Sequence, residues 1–413
     1  MVLGGALLAK PAAAQLVDTY FPSGLIGYTD TPGVTVTSRE RTEFEPQGIR
    51  LGSVVVRPNF GSGPGYSSNP TGQSPAKGSA AIVSSGSVLA NTDWVHDNAS
   101  AFISADDTRY LSQSSQSFTN WSASLGKYFE WGDDRLTLAA SHLGLNQVPT
   151  ALNTPNLTKP APYRVDNVRA SYDMLRGAFL VTPAVQYTAF RYDPVQTAAG
   201  AQSQESRNRD VAEGSVTVKY GYADLRNILV VLRGASINYV NATPGVPGKN
   251  ANAVSLLAGL DYAAGATLRY RALLGYQVRS FNSSAYKNNS QPIAEANVTF
   301  TPNGLTTFTA TLTRSIEDAA SDDTSSYTLT AGRLTVDHEL RRNVLLGAHV
   351  ELDEAQYAQG GGHETFLGAG ASATWLMNRN LRLTGTYDYL NRRTTSDTTI
   401  TDNVVLLKMN LGL

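Results

Sequence analysis

The chain has 413 residues, of which 41% are hydrophobic and only 16% charged, with a net charge of −1 and no cysteine. A disulfide scaffold, a thiolate metal centre and a broadly cationic nucleic-acid-binding surface are thereby excluded. Its 36 glycines and 20 tyrosines against 4 methionines describe a β-rich chain, a secreted sandwich or a membrane barrel, rather than a helix-rich enzyme.

Val2 to Ala9 form a short apolar run, followed by Lys10, Pro11, Ala12, Ala13 and Ala14. Residues 1–14 read as the remnant of a signal peptide cleaved before Gln15, with a disordered alanine-rich tail as the alternative. The run of about 8 residues is far short of the ~20 a spanning helix needs, and Arg, Asp, Asn or Gly interrupts every later apolar stretch. A membrane form of this chain is therefore a β-barrel. Residues 15–48 are assigned to a periplasmic N-terminal segment carrying Arg39, Glu40, Arg41, Glu43 and Glu45. That segment either docks in the periplasm or plugs the lumen, or it is a tail capping the barrel rim.

From residue 49 to 413 the sequence settles into about eighteen alternating segments, beginning near 49–60 and ending near 402–413. In the cleanest, Leu268, Tyr270, Ala272, Leu274, Tyr276 and Val278 point one way, and Arg269, Arg271, Leu273, Gly275, Gln277 and Arg279 the other. The connections alternate too. Long ones fall near 61–78, 107–115, 146–162, 191–208, 240–250, 281–290, 317–324, 355–363 and 393–401, while turns such as Leu175-Arg176, Pro302-Asn303 and Met377-Asn378 are brief. A sandwich gives no reason for such alternation, whereas an up-and-down membrane barrel has short periplasmic turns and longer outside loops. Trp94, Tyr128, Phe129, Trp131, Tyr222, Tyr262, Phe300 and Trp375 lie near the short connections, where aromatic rings suit the head-group layer. The expectation is an all-β, transmembrane up-and-down antiparallel β-barrel of about 18 strands in the outer membrane of a Gram-negative bacterium, surrounded by lipid. A barrel this wide keeps an aqueous lumen.

Strand parity nominates Arg169, Arg233, Arg269, Arg271, Gln277, Arg279, Glu351, Asp353, Arg382, Asp388 and Arg392 as lumen-lining. Arginine rows facing carboxylates would set up a transverse field favouring hydrated, polar or anionic solutes; the plainer reading is that these charges pair and solvate the wall. Catalytic chemistry is not found. The five histidines, His96, His142, His338, His349 and His363, lack ligand spacing, and Ser124 and Lys127 of an SxxK match face opposite sides of a strand. Ser141 and His142, being adjacent, also face opposite sides. No cofactor, metal or nucleic acid is implied.

The stretch from Thr35 to Gly72 resembles the opening signature of the Putative beta-barrel porin 2 family, outer-membrane proteins associated with exopolysaccharide gene clusters. The matching residues are Arg39, Arg41, Pro46, Gly48, Ile49, Arg50, Gly52, Pro58, Gly65, Tyr66 and Asn69. Ser67 and Ser68 stand where the family usually carries acids, which argues against a cation site at this corner. The resemblance implies a pore taking part in exopolysaccharide secretion, with the polysaccharide and periplasmic export proteins as partners. A general diffusion porin for small hydrophilic solutes and a structural or adhesive surface protein are the alternatives.

Overall fold

The computed structural model describes residues 20–413 except 23, 29–33, 155–156, 198–199, 242–245, 265–266, 322, 361 and 395–397. The leader expected over residues 1–14 lies outside these. No helix among the described residues is long and apolar enough to cross a membrane. The chain runs through β1 (Ile49–Leu51), β2 (Val54–Ser67), β3 (Ser79–Thr92), β4 (Ala99–Tyr110), β5 (Phe118–Trp131), β6 (Asp134–Gln147) and β7 (Ala161–Arg176). It continues with β8 (Phe179–Tyr192), β9 (Val195–Thr197), β10 (Gly200–Gln202), β11 (Arg209–Ala223), β12 (Arg226–Tyr239), β13 (Ala251–Ala264) and β14 (Leu268–Phe281). The last are β15 (Asn289–Asn303), β16 (Thr306–Asp318), β17 (Ser326–Arg341), β18 (Val344–Tyr357), β19 (His363–Leu376), β20 (Leu381–Thr394) and β21 (Thr399–Gly412).

Nineteen of these strands share one antiparallel sheet. The three-residue β1 pairs only with β2, and β9 and β10 form a separate hairpin inside the connection that joins β8 to β11. The remaining eighteen pair in sequence order, and β21 returns to β2 from Asn59↔Gly412 to Ser67↔Val404. The sheet is a closed 18-strand barrel. Closure leaves no sheet edge along the seam, where each unpaired backbone group would cost several kcal/mol in lipid.

Three glycines explain why β2 runs through a stretch whose composition reads as loop. A Cβ on Gly63 would lie 1.9 Å from the Leu407 carbonyl oxygen, and one on Gly61 2.2 Å from Asn410 Oδ1. Gly65 faces the Val405 carbonyl more loosely, at 3.3 Å. The first strand can approach the last this closely only without side chains at the seam. The expected opening segment 49–60 is in fact split by a turn at Gly52, whose φ is +60°.

Short turns such as 132–133, 177–178, 224–225, 304–305 and 342–343 form one rim, and the connections 68–78, 148–160, 193–208 and 240–250 form the other. The contrast fades after β18, because β18 and β20 extend into the expected long loops 355–363 and 393–401. Along β14 the outer row is apolar and Leu274 (72%), Tyr276 and Val278 in it are exposed, while Leu273 and Arg279 of the inner row are buried. Trp94, Tyr222, Phe300 and Trp375 are exposed near the short-turn rim, and Phe129 stacks on Trp131. Tyr128, one residue out of phase with them, turns inward to accept a hydrogen bond from Asn98 Nδ2.

The β15–β16 ladder stops short at its long-loop end. β14 stays paired with β15 up to Arg279↔Asn289, and β16 with β17 up to Asp318↔Ser326. Between β15 and β16, however, pairing stops at Ala294↔Arg314, so their long-loop ends part.

Candidate functional site

The lumen is crossed at two levels. At the first, the described residues of 20–28 pack on one wall and residues 34–46 on the opposite wall. Phe21, Leu25 and Tyr28 are buried against Phe102, Leu143, Leu145, Val165 and Phe190, all on inner faces of β4 to β8. Polar ties fix the backbone there: the Ile26 N–H donates to Ser100 Oγ (3.1 Å), Arg169 Nη1 donates to the Gly27 carbonyl (2.8 Å), and the Tyr28 hydroxyl donates to Asn167 Oδ1 (3.3 Å). Burial, with Asp106 nearby, pushes the Tyr20 hydroxyl up to about 12, which marks this end of the segment as removed from water.

The chain then reaches the far wall. Val36 is buried against Leu345 and Leu376, and its N–H donates to Thr307 Oγ1 at 3.0 Å. Arg41 and Arg39 converge on Glu339 Oε2 at 2.6 and 3.2 Å, and Arg39 also donates to the Gly304 carbonyl. Glu339 lies on β17 and Ala139, which Gly27 touches, on β6; these strands are nine steps apart either way around the ring. The segment is a strut across the diameter, slanting from the long-loop half of β6 to β8 to the short-turn end of β17.

At the second level, the long-loop side folds inward. Asn153 in the β6–β7 connection receives a hydrogen bond from the Tyr357 hydroxyl at its Oδ1, donates its N–H to Glu364 Oε2, and donates Nδ2 to the Asp318 carbonyl. Arg392 donates to the Pro149 carbonyl and Thr154 Oγ1 of the same connection. Asp318 gathers Arg209 from β11 and Arg279 from β14, each at 2.8 Å. In the β8–β11 connection, Arg207 stacks on Tyr192 at 4.0 Å and is so enclosed that burial lowers its pKa.

Between the two levels lies a cavity of about 480 Å³ whose lining includes Arg169, Glu213, Arg233, Gln277, Arg279 and Glu295. Arg233 is paired with Glu295, and Gln277 accepts the Ile316 N–H at 3.2 Å. Arg269 and Arg271 share the inward parity of Arg279 but remain exposed nearer the short-turn rim. On the wall from β17 to β20, Glu351 pairs with Arg333 (2.8 Å), and Asp353 is buried two residues away on the same face. Asp388 lies 3.6 Å from His349, Arg392 pairs with Glu364 (3.0 Å), and Arg382 sits beside Glu45 and Arg41 of the strut. The nominated charges thus divide among the cavity, the acidic wall, the strut (Arg382) and the inward connection (Arg392), with Arg269 and Arg271 exposed apart from these. Arg233, Arg279 and Arg392 are each ion-paired, so the guanidiniums do not form a free row. Among the described residues, no group of three His, Asp or Glu side chains could hold a metal.

The signature residues are fasteners. Besides Arg39 and Arg41 on Glu339, Pro46 packs on Gly412 at the end of β21, and Gly48 takes a φ of +77° where β1 begins. Ile49 and Arg50 lie in β1, Arg50 pairs with Asp93 (2.9 Å), and Gly52 turns the chain into β2. Beyond them, the Ser67 and Ser68 hydroxyls and the Asn69 N–H all donate to the Asp402 carboxylate. Neutral donors satisfy that charge where further acids would repel it. His142 and Asp166, 2.5 Å apart, face outward while Ser141 faces in.

Parity over the observed strands also places Glu213, Glu295, Arg333, Glu339 and Glu364 inward, and the same rule could have named them from sequence. Asp318 and Asn153 carried no such signal: one lies where β16 leaves its neighbour and bends into the lumen, the other in a long connection.

The family described as Putative beta-barrel porin 2 matches residues 41–412. Among curated proteins, none matches this sequence. Solved structures similar to this chain include Pseudomonas aeruginosa OpdK with vanillate, at 11% identity and a TM-score of 0.47, covering 87% of this chain and 99% of that one. P. aeruginosa OccK2 (OpdF) is 12% identical with a TM-score of 0.49, covering 89% of this chain and 100% of that one. Acinetobacter baumannii OccAB3 is 8% identical with a TM-score of 0.47, covering 88% of this chain and 100% of that one.

Proposed function

The chain belongs to the family Putative beta-barrel porin 2, and from that premise we propose that it is a channel for small hydrophilic solutes, narrowed by its own amino-terminal segment. Its place is the outer membrane of a Gram-negative bacterium, embedded in lipid, and it is a porin-type barrel rather than an enzyme. The observation that carries the reading is the polar, charge-paired cavity of about 480 Å³ lying between two inward-folded segments. A volume of that order suits a small solute. The exopolysaccharide role implied by the signature has no such support. A polymer strand would have to displace the wall ties of Gly27 and Arg41 in the strut and of Asn153 in the β6–β7 connection.

The acidic wall adds a preference. Glu351, Asp353 and Asp388 stand together with Arg333 as their neighbouring guanidinium, so cations should pass more readily than anions. The test is current through planar bilayers under a salt gradient, with folding checked by the mobility shift between heated and unheated samples. A stable current with a cation-selective reversal potential is expected. A folded protein that carries no current, in the native sequence and in variants that release the strut, ends the reading.

A further inference from the structure

We infer a side portal between β15 and β16 that joins the lumen cavity to the outer leaflet and admits a single-chain amphiphile. The inference rests on the channel reading and adds a route and a ligand class to it.

The parted ladder is the first ground. Above Ala294↔Arg314 no ladder pair joins the two strands, although each keeps its other neighbour. Unpaired backbone is expensive against lipid and is tolerated where it lines a cavity. Here it does: Ile293 of β15 and Ser315, Ile316, Glu317 and Asp318 of β16, all beyond the last ladder pair, line the cavity.

The residues at the gap favour separation. Pro292 has no N–H to give to β16, as suits a strand edge. Arg314 spans the gap with its side chain, donating Nε to the Pro292 carbonyl (3.1 Å) and Nη1 to Thr330 Oγ1 (2.6 Å). The Ile316 N–H turns to Gln277 Oε1 on β14, one strand further in. A guanidinium on a flexible stem can swing away, which a run of ladder bonds cannot.

The ligand class follows from the two surfaces that meet there. Val211, Ile237, Ala253, Ile293 and Ile316 supply an aliphatic patch in the cavity lining itself. The polar part of that lining carries both signs through Arg233–Glu295 and Arg279–Asp318. A purely hydrophilic solute has no use for the patch. An apolar chain attached to a zwitterionic head would satisfy both surfaces, and the gap offers such a molecule a path from the leaflet that avoids the long loops.

The test uses the full chain in planar bilayers, with lysophosphatidylcholine as probe and glycerophosphocholine, the same head without the chain, as control. Lysophosphatidylcholine placed in the leaflet on the long-loop side should interrupt the current. The chain has no cysteine, so I293C/S315C puts one thiol on each strand where a continued ladder would pair them. Oxidation should cut the interruption frequency by roughly tenfold or more, as expected when an entry route is closed, and reductant should restore it. Interruptions by the control should not respond to oxidation. P292V, which supplies the missing N–H without a crosslink, should shift the frequency the same way. The portal is overturned if lysophosphatidylcholine gives no interruptions, or if neither closing variant changes them. A protein silent in every form removes the channel reading instead.

Discussion

Glu339→Gln isolates the hold of the strut on the barrel. The carboxylate is 5% exposed and meets Arg41, 4% exposed, at 2.6 Å and the more open Arg39 at 3.2 Å. Removing one partner of a buried ion pair costs about 3–5 kcal/mol, because the other charge stays desolvated. Gln keeps an acceptor, and Arg41 retains its bonds to the Val36 carbonyl (2.7 Å) and the Arg39 carbonyl (3.2 Å), so about 2–3 kcal/mol is the better figure. No ladder bond of the barrel involves these side chains, so the loss falls on the seated strut. At that size the ratio of seated to released segment drops roughly 30- to 150-fold. Single-channel recording should show longer and larger openings, and protease added on the short-turn side should cleave within residues 20–46 sooner. A crosslink supplies the reverse arm. A Cβ at Gly126 lies 3.0 Å from Ile26 Cβ, so I26C/G126C can join strut to wall after a withdrawal of about 1 Å. Oxidised, it should suppress the E339Q openings, and reductant should bring them back. If E339Q matches the native protein in current and cleavage, and the crosslink changes nothing, the strut does not control the lumen.

The two faces of β14 differ in what they tolerate: Leu274→Arg puts a charge on the lipid side at about 2–4 kcal/mol and should lower the urea midpoint for folding in vesicles, whereas Arg269→Glu, exposed on the lumen row, should leave it nearly unchanged. Gly63→Val would drive a side chain into the Leu407 carbonyl and should abolish the compact unheated gel band, while Gly86→Val, with open space around it, should keep it. Asp402→Ala leaves the Ser67 and Ser68 hydroxyls and the Asn69 N–H without their acceptor; at about 1–3 kcal/mol for a buried orphan, denaturation should show a lower midpoint, with Asp402→Asn intermediate. The double change E351Q/D353N should move the reversal potential in a salt gradient toward zero, and an unchanged value would remove the acidic wall from the selectivity account.

Much of the architecture is written in local alternation. A strand has a period of two, so Leu274, Tyr276 and Val278 against Gln277 and Arg279 declare which row meets lipid before any partner strand is known. Short turns such as Gly132-Asp133 and Gly177-Ala178 follow from glycine at positive φ, +62° and +58°, and give the rims their identity. The glycines of β2 show where this reasoning fails: composition made 61–67 a loop, but Gly61 and Gly63 answer to Asn410 and Leu407, more than three hundred residues away.

The lumen was less legible for the same reason. Parity states that Glu339 points inward, yet it is silent on what arrives there. Arg39 and Arg41 come from a segment without strand periodicity, and Asn153 from a connection whose shape depends on Tyr357 and Glu364. Asp318 sits on the outward parity of β16 and faces in only because that strand leaves β15 and leans toward Gln277. The sequence by itself settled the wall: its strands, its two faces and its rims, because each depends on neighbours a few positions apart. Tertiary structure alone decided what fills the wall, because the strut, the inward connection and the parted strands are contacts between distant parts of the chain, where no local period carries the information.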